Sequence, residues 1–257
     1  MSKIRGIIEN FIADYVGSYP TKKNTDTTWL PPLVAYADAA DSRFLELKNI
    51  ISPSHAVPTD FLPDAQTVIA YFLPFNRVVA KSNILGRESS REWVVAYIET
   101  NTLISDLNAA LAQKLTKHGY RAALIPPTHN FDKVKLISDW SHRHAAYIAG
   151  LGKFGLNNML ITAKGCCGRV GTVVTNAPIG PTPRVDRQYC LYKIDGSCGI
   201  CAKRCVNDAL HKESFDRQKC YAMCLENAAR FYDLGLADVC GKCLVDVPCS
   251  YVNPAAP

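Results

Sequence analysis

Apolar residues recur at helical spacing from the start of the chain. Ile4, Ile7, Ile8, Phe11, Ile12 and Tyr15 share one face, while Glu9 and Asp14 break the run. The pattern predicts an amphipathic helix over residues 4–16. GSYPTKKNTDTTWLPP follows and reads as a loop by composition. LVAYADA and TVIAYFLPF read as short buried strands, with the helical segment SRFLELKNI between them. A long helical segment runs from about Ser90 to His118 and stops at Gly119. YRAALIPP is a further strand, ended by Pro126 and Pro127. SDWSHRHAAYIAGLG predicts a helix capped by Ser138 and stopped by Gly150 and Gly152. NMLITA and RVGTVVT predict two strands around the turn KGCCG.

These elements place a strand-and-helix domain over residues 1–183, with PIGPTPR as its boundary and a cysteine-rich domain over 184–257. The chain has 257 residues, 48% of them hydrophobic and 20% charged, which is the composition of a globular protein. A chain of this size buries enough surface to fold with no disulfide. No apolar run approaches the ~18 residues of a membrane span, so no membrane partner is expected. The N-terminal run is interrupted by acids and followed by no small-residue cleavage site, which predicts a cytoplasmic protein. A net charge of +6 is compatible with an anionic partner, though a solvated surface explains it more simply.

The cysteines change this picture. There are eleven, none before Cys166, and nine fall between Cys190 and Cys249. In a reducing compartment such density points to metal binding or catalysis rather than disulfides. One set is Cys190, Cys198, Cys201 and Cys205; a second is Cys220, Cys240, Cys243 and Cys249, with Cys224 as an extra thiol. In two-cluster ferredoxins each motif gives three thiolates to one cluster and its last cysteine to the other. On that logic Cys190, Cys198, Cys201 and Cys249 hold one 4Fe–4S cluster, and Cys205, Cys220, Cys240 and Cys243 hold the second. The spacing departs from a strict ferredoxin run: Asp195 stands where the first cysteine would be, and Val206 where proline follows the fourth. CGIC and CGKC would serve tetrahedral zinc equally well, but nine cysteines in a cross-linked pattern favour iron–sulfur. Cys166 and Cys167 read as turn residues.

Gly150-x-Gly152-x-x-Gly155 matches the dinucleotide fingerprint, but a helix precedes it and a strand follows, the reverse of what NAD binding needs. The same segment, AAYIAGLGKFGLNNMLIT with Arg143 ahead of it, resembles the cobalamin domain of the epoxyqueuosine reductase family. DFLPDAQTVIAYFLPF is similar to that family's first core strand, and KCYAMCLENAARF with CGKCLVDVPC to its second cluster motif. The resemblance covers roughly residues 55–253 and extends to the reductive dehalogenases.

The resemblance implies an α+β protein: a nitroreductase-like, cobalamin-reductase-like α/β domain followed by a bacterial two-cluster ferredoxin-like domain. It implies two 4Fe–4S clusters that feed a base-off cobalamin, with a ferredoxin or flavodoxin as electron donor. Arg143 and Asn157 match the family's corrinoid contacts by position. The family's proton-donating aspartate falls on Leu136, leaving Asp139 as the nearest acid; Tyr147 is a second candidate because dehalogenase relatives use a tyrosine. His142 and His144 lie two apart on opposite sides of a helix and make a poor joint metal site. Characterised epoxyqueuosine reductases carry a tRNA-gripping helical-repeat domain beyond the clusters, whereas here only a few residues follow Cys249. The expected substrate is therefore a small molecule or a tRNA-borne group. The alternatives are a two-cluster electron carrier that docks or reduces a corrinoid or flavin on a partner, a flavin in place of cobalamin, and a zinc-stabilised module.

Overall fold

The central strand of the main sheet is buried along its whole length, and its neighbours explain why. In the computed structural model, which describes residues 3–127, 131–184 and 186–256, four antiparallel strands lie in the order β1 (Leu33–Asp38), β2 (Thr67–Pro74), β8 (Gly168–Thr175) and β3 (Ala122–Leu124). All eight residues of β2 are buried. Ile69, Tyr71 and Leu73 point to one face, where α1 (Lys3–Lys23) and α5 (Arg91–Thr116) pack. Val68, Ala70 and Phe72 point to the other, against α2 (Ser42–Ile50) and α6 (His142–Ile148). Two covered faces remove the alternation of a half-exposed strand, which is why TVIAYFLP is an apolar run.

Short elements fill the connections. These are α3 (Pro58–Phe61), α4 (Arg77–Ser82), the hairpin of β4 (Phe131–Asp132) with β5 (Ile137–Ser138), and the hairpin of β6 (Gly152–Phe154) with β7 (Leu160–Thr162). Helix α6 followed by strand β6 is the order expected for the glycine segment. The cysteine-rich segment contributes α7 (Leu191–Asp195), α8 (Ile200–Lys203) and α9 (Arg217–Arg230). Among the described residues no helix is long and apolar enough to cross a membrane.

Two boundaries differ from expectation. Helix α1 continues through Pro20 to Lys23, where composition predicts a loop. Tyr19 drives the extension: it is buried, donates to Asp106 at 2.8 Å and meets Trp29 edge-on at 5.9 Å. That packing outweighs the backbone hydrogen bond Pro20 forfeits. Helix α6 is capped by Ser141, whose hydroxyl accepts from the His144 amide, and not by Ser138, which pairs with Phe131 in the β4–β5 hairpin. Asp139 consequently precedes the helix instead of occupying its first turn.

Candidate metal centre

The cysteine strap is built onto the sheet by backbone contact. Cys166 and Cys167, at the entry to β8, donate their amides to the carbonyls of Cys249 and Ser250, at 2.9 and 3.0 Å. Gly165 permits the approach: its φ is +76°, and a Cβ there would lie 2.4 Å from the Ser250 carbonyl oxygen. A second anchor comes from the α4–α5 connection. Asn83 Nδ2 and Ser89 Oγ both donate to the Cys240 carbonyl, and the buried amide of Asn227 on α9 links Ser89 to Val239.

Within this frame the thiols gather in two places. Cys190 caps α7 with its thiol free of any capping bond, and Cys201 lies on α8. Burial pushes the Cys201 thiol up to about 12, reinforced by its neighbours Cys249, Cys190 and Cys198. Those four thiols border one small cavity that Asn157 also lines. Burial likewise holds Cys243 far above the usual thiol range, with Cys240, Cys220, Cys201 and Cys205 as charge neighbours. Cys240 is raised to about 11, mainly by burial, with Cys220 and Cys205 adding to it. The Cys205 sulfur accepts the Ala209 amide at 3.3 Å. The raised thiols of Cys201, Cys240 and Cys243 hold their protons until a cation replaces them, so the donor set suits a thiophilic metal such as iron or zinc. Among the described residues no three His, Cys, Asp or Glu side chains converge tightly enough to hold a single ion.

Each quartet has a fifth thiol beside it. Cys224 lies one turn after Cys220 on α9, and the contact between them lowers Cys220 and raises Cys224. Cys166, read as a turn residue, has its sulfur 3.9 Å from that of Cys249. No sequence signal marks that second contact, because it joins positions 83 residues apart.

A group of cationic side chains adjoins the second quartet. Arg143 on α6 donates to the Asn158 carbonyl at 2.8 Å and to the Met159 sulfur at 3.2 Å. Its side chain keeps solvent contact, yet crowding of the guanidinium lowers its pKa; Arg169, Cys220, Arg217 and Cys243 are its charge neighbours. Arg169 on β8 stacks over Tyr97 at 4.4 Å, and Tyr97 donates to Asp238 at 2.8 Å. His142 bridges Thr172 and the Pro126 carbonyl, and burial lowers it to about 4. His144 points elsewhere, to Ser141 and Phe154, so the two histidines do face apart.

The remaining expected site residues divide. Asn157, 6% exposed in the β6–β7 turn, donates to the Cys243 carbonyl at 3.2 Å, so it ties the hairpin to the strap while Arg143 grips the next residue's carbonyl. Asp139 is exposed and accepts from Ser54 at 2.6 Å, while its carbonyl accepts the Ala56 amide. Tyr147 faces Phe154 at 5.7 Å, with the cations of Lys153 and Arg184 over its ring. Arg143, Asn157 and Tyr147 are thus brought to one hairpin, while Asp139 is engaged elsewhere, with Ser54. Arg169, Tyr97 and Asp238 form a linked group near Arg143 that no motif announces.

No family model matches this sequence, and no curated protein is detectably similar to it. Solved structures do share its fold. A selenomethionine-labelled epoxyqueuosine reductase superposes with a TM-score of 0.53 at 17% identity, over 94% of this chain and 66% of that one. The epoxyqueuosine reductase of Bacillus subtilis, seen with its catalytic loop swung out of the active site, gives 0.54 at 16% identity and the same coverage. That of Streptococcus thermophilus gives 0.51 at 15% identity, over 91% of this chain and 65% of that one. The chain therefore has the epoxyqueuosine reductase fold and spans 66% of the length of the first two.

Proposed function

We propose that this chain is a cobalamin-dependent iron–sulfur reductase of the epoxyqueuosine reductase kind, with two 4Fe–4S clusters in residues 184–257 and a nitroreductase-like, cobalamin-binding domain in residues 1–183. The observation that carries the reading is the sorting of eight cysteines into two quartets that exchange a member. Cys201 has Cys190, Cys198 and Cys249 around it; Cys243 has Cys240, Cys220 and Cys205 around it, with Cys201 of the first quartet also nearby. That exchange is the wiring of a two-cluster ferredoxin-like module, and two independent zinc knuckles would not need it. The shared fold of the reductases is consistent with the same reading.

When bound, the clusters supply one-electron relay, and the cobalamin supplies a low-valent metal centre that reduces the substrate. The chain's own residues supply the rest. The quartets hold the clusters, and Asn157 fixes the Cys243 strap against the β6–β7 hairpin. Arg143, with donors to spare and with Cys220 and Cys243 as neighbours, suits a group that must sit against the second quartet. Asp139 and Tyr147 remain the proposed proton donors. For Asp139 this requires the segment before α6 to release Ser54. A ferredoxin or flavodoxin donor, a small-molecule or tRNA-borne substrate and a cytoplasmic location belong to the same proposal.

The test is cofactor retention. Protein purified without oxygen is mixed with cobalamin, freed of excess and examined for cobalt and the base-off cob(II)alamin EPR signal. About one cobalt per chain, reduced in Arg143→Ala, is the expected result. Intact clusters with no retained cobalt would replace this reading with a two-cluster carrier, and retained flavin would replace the cofactor.

A further inference from the structure

A cation is buried inside the second cysteine motif. In Cys240–Gly241–Lys242–Cys243, Lys242 is 1% exposed, and its Nζ donates to the carbonyls of Asn83 at 3.0 Å and Leu85 at 2.7 Å. Both partners are neutral, so they satisfy hydrogen bonds but not charge. A buried ammonium with no carboxylate in contact is costly to keep, and burial lowers the Lys242 pKa. Its favourable charge neighbours are Cys240 first and Glu88 second, and Glu88 is itself paired with Arg230. Arg204, also nearby, differs: it is paired with Asp246 at 3.3 Å, so its charge is compensated.

The first motif supplies an internal comparison. Cys198–Gly199–Ile200–Cys201 has the same length and the same glycine, yet its third residue is apolar and 41% exposed. One quartet thus has a fixed cation between two of its cysteines, and the other has a solvent-facing isoleucine.

We propose that Lys242 sets the two clusters apart in reduction potential, making the cluster of Cys205, Cys220, Cys240 and Cys243 the easier of the two to reduce. The inference rests on the two-cluster reading above. Reduction brings in one electron from the donor, breaks no bond and moves no proton. The thiolate-bound cluster therefore becomes more negative by that one charge. A fixed cation in a low-dielectric surrounding favours the more negative state, and local charge is among the influences that set cluster potentials.

The experiment is an anaerobic redox titration of the holoprotein, followed by EPR of the reduced clusters, in wild type and Lys242→Met. The expected result is a fall in the midpoint of one cluster, with the other midpoint and the iron content unchanged. Unchanged midpoints at full iron content would overturn the proposal and leave Lys242 as a strut for the 83–85 loop. A wild-type protein without clusters would overturn the two-cluster reading itself, and this inference with it. If Lys242→Met loses the second cluster, Lys242→Gln, which keeps a donor for the carbonyls, carries the same prediction. Loss of that cluster from both neutral variants overturns the proposal, because the lysine would then serve assembly and not potential.

Discussion

Gly241 is the position in the cysteine strap least able to accept a side chain. Its φ is +73°, and a Cβ there would lie 2.2 Å from the ring of Trp93, which is 2% exposed and held in the core. Gly241→Ala combines left-handed backbone strain with overpacking, for a cost of ~2–5 kcal/mol. The expected outcome is a lower thermal midpoint together with loss of iron from the second quartet, read by melting and iron assay on the same sample. An unchanged midpoint and iron content would show that Trp93 yields freely. At this scale the sequence was most informative where chemistry is dense. The short Cys-x-x-Cys spacings mark the strap as a candidate metal centre, because that signal is local in sequence. The sequence was least informative for Cys166, Arg169 and Lys242, whose roles come from segments distant in the chain. Asp139 shows the same limit: proximity in sequence to Arg143 did not bring the two side chains together.

Helix α6 carries a pH dependence that belongs to the element. Burial lowers both His142 and His144 to about 4 from the free value of 6.5. Both groups are thus held neutral in the folded state and gain protons more readily when unfolded. Their contribution to stability is fully present above about pH 6.5 and is lost as pH falls towards 4. Wild type should therefore lose denaturation midpoint between pH 7 and pH 5, and the double variant His142→Gln, His144→Gln should show a flatter slope. Equal slopes would mean that neither imidazole is shielded as described. Elements of this kind were legible where apolar periodicity was long, as in α5, or continuous, as in β2. The extension of α1 through Pro20 and the shift of the α6 cap from Ser138 to Ser141 were not legible. Both are decided by tertiary partners, Trp29 and Asp106 in one case and Phe131 in the other.

At the scale of the molecule, the arrangement is a sheet covered on both faces, with a cysteine strap held against one end of it by Gly165, Asn157 and Asn83. Arg143 and Arg169 lie near each other beside the second quartet. Its fold is that of epoxyqueuosine reductases at 15–17% identity, a level at which packing is retained while most side chains differ. The central claim is that two cubane clusters occupy the two quartets. Iron, acid-labile sulfide and zinc measured per chain in anaerobically purified protein test it most directly, alongside Cys201→Ala. Wild type is expected to hold about eight iron and about eight sulfide, falling to about half in the variant. Stoichiometric zinc with no labile sulfide would contradict it.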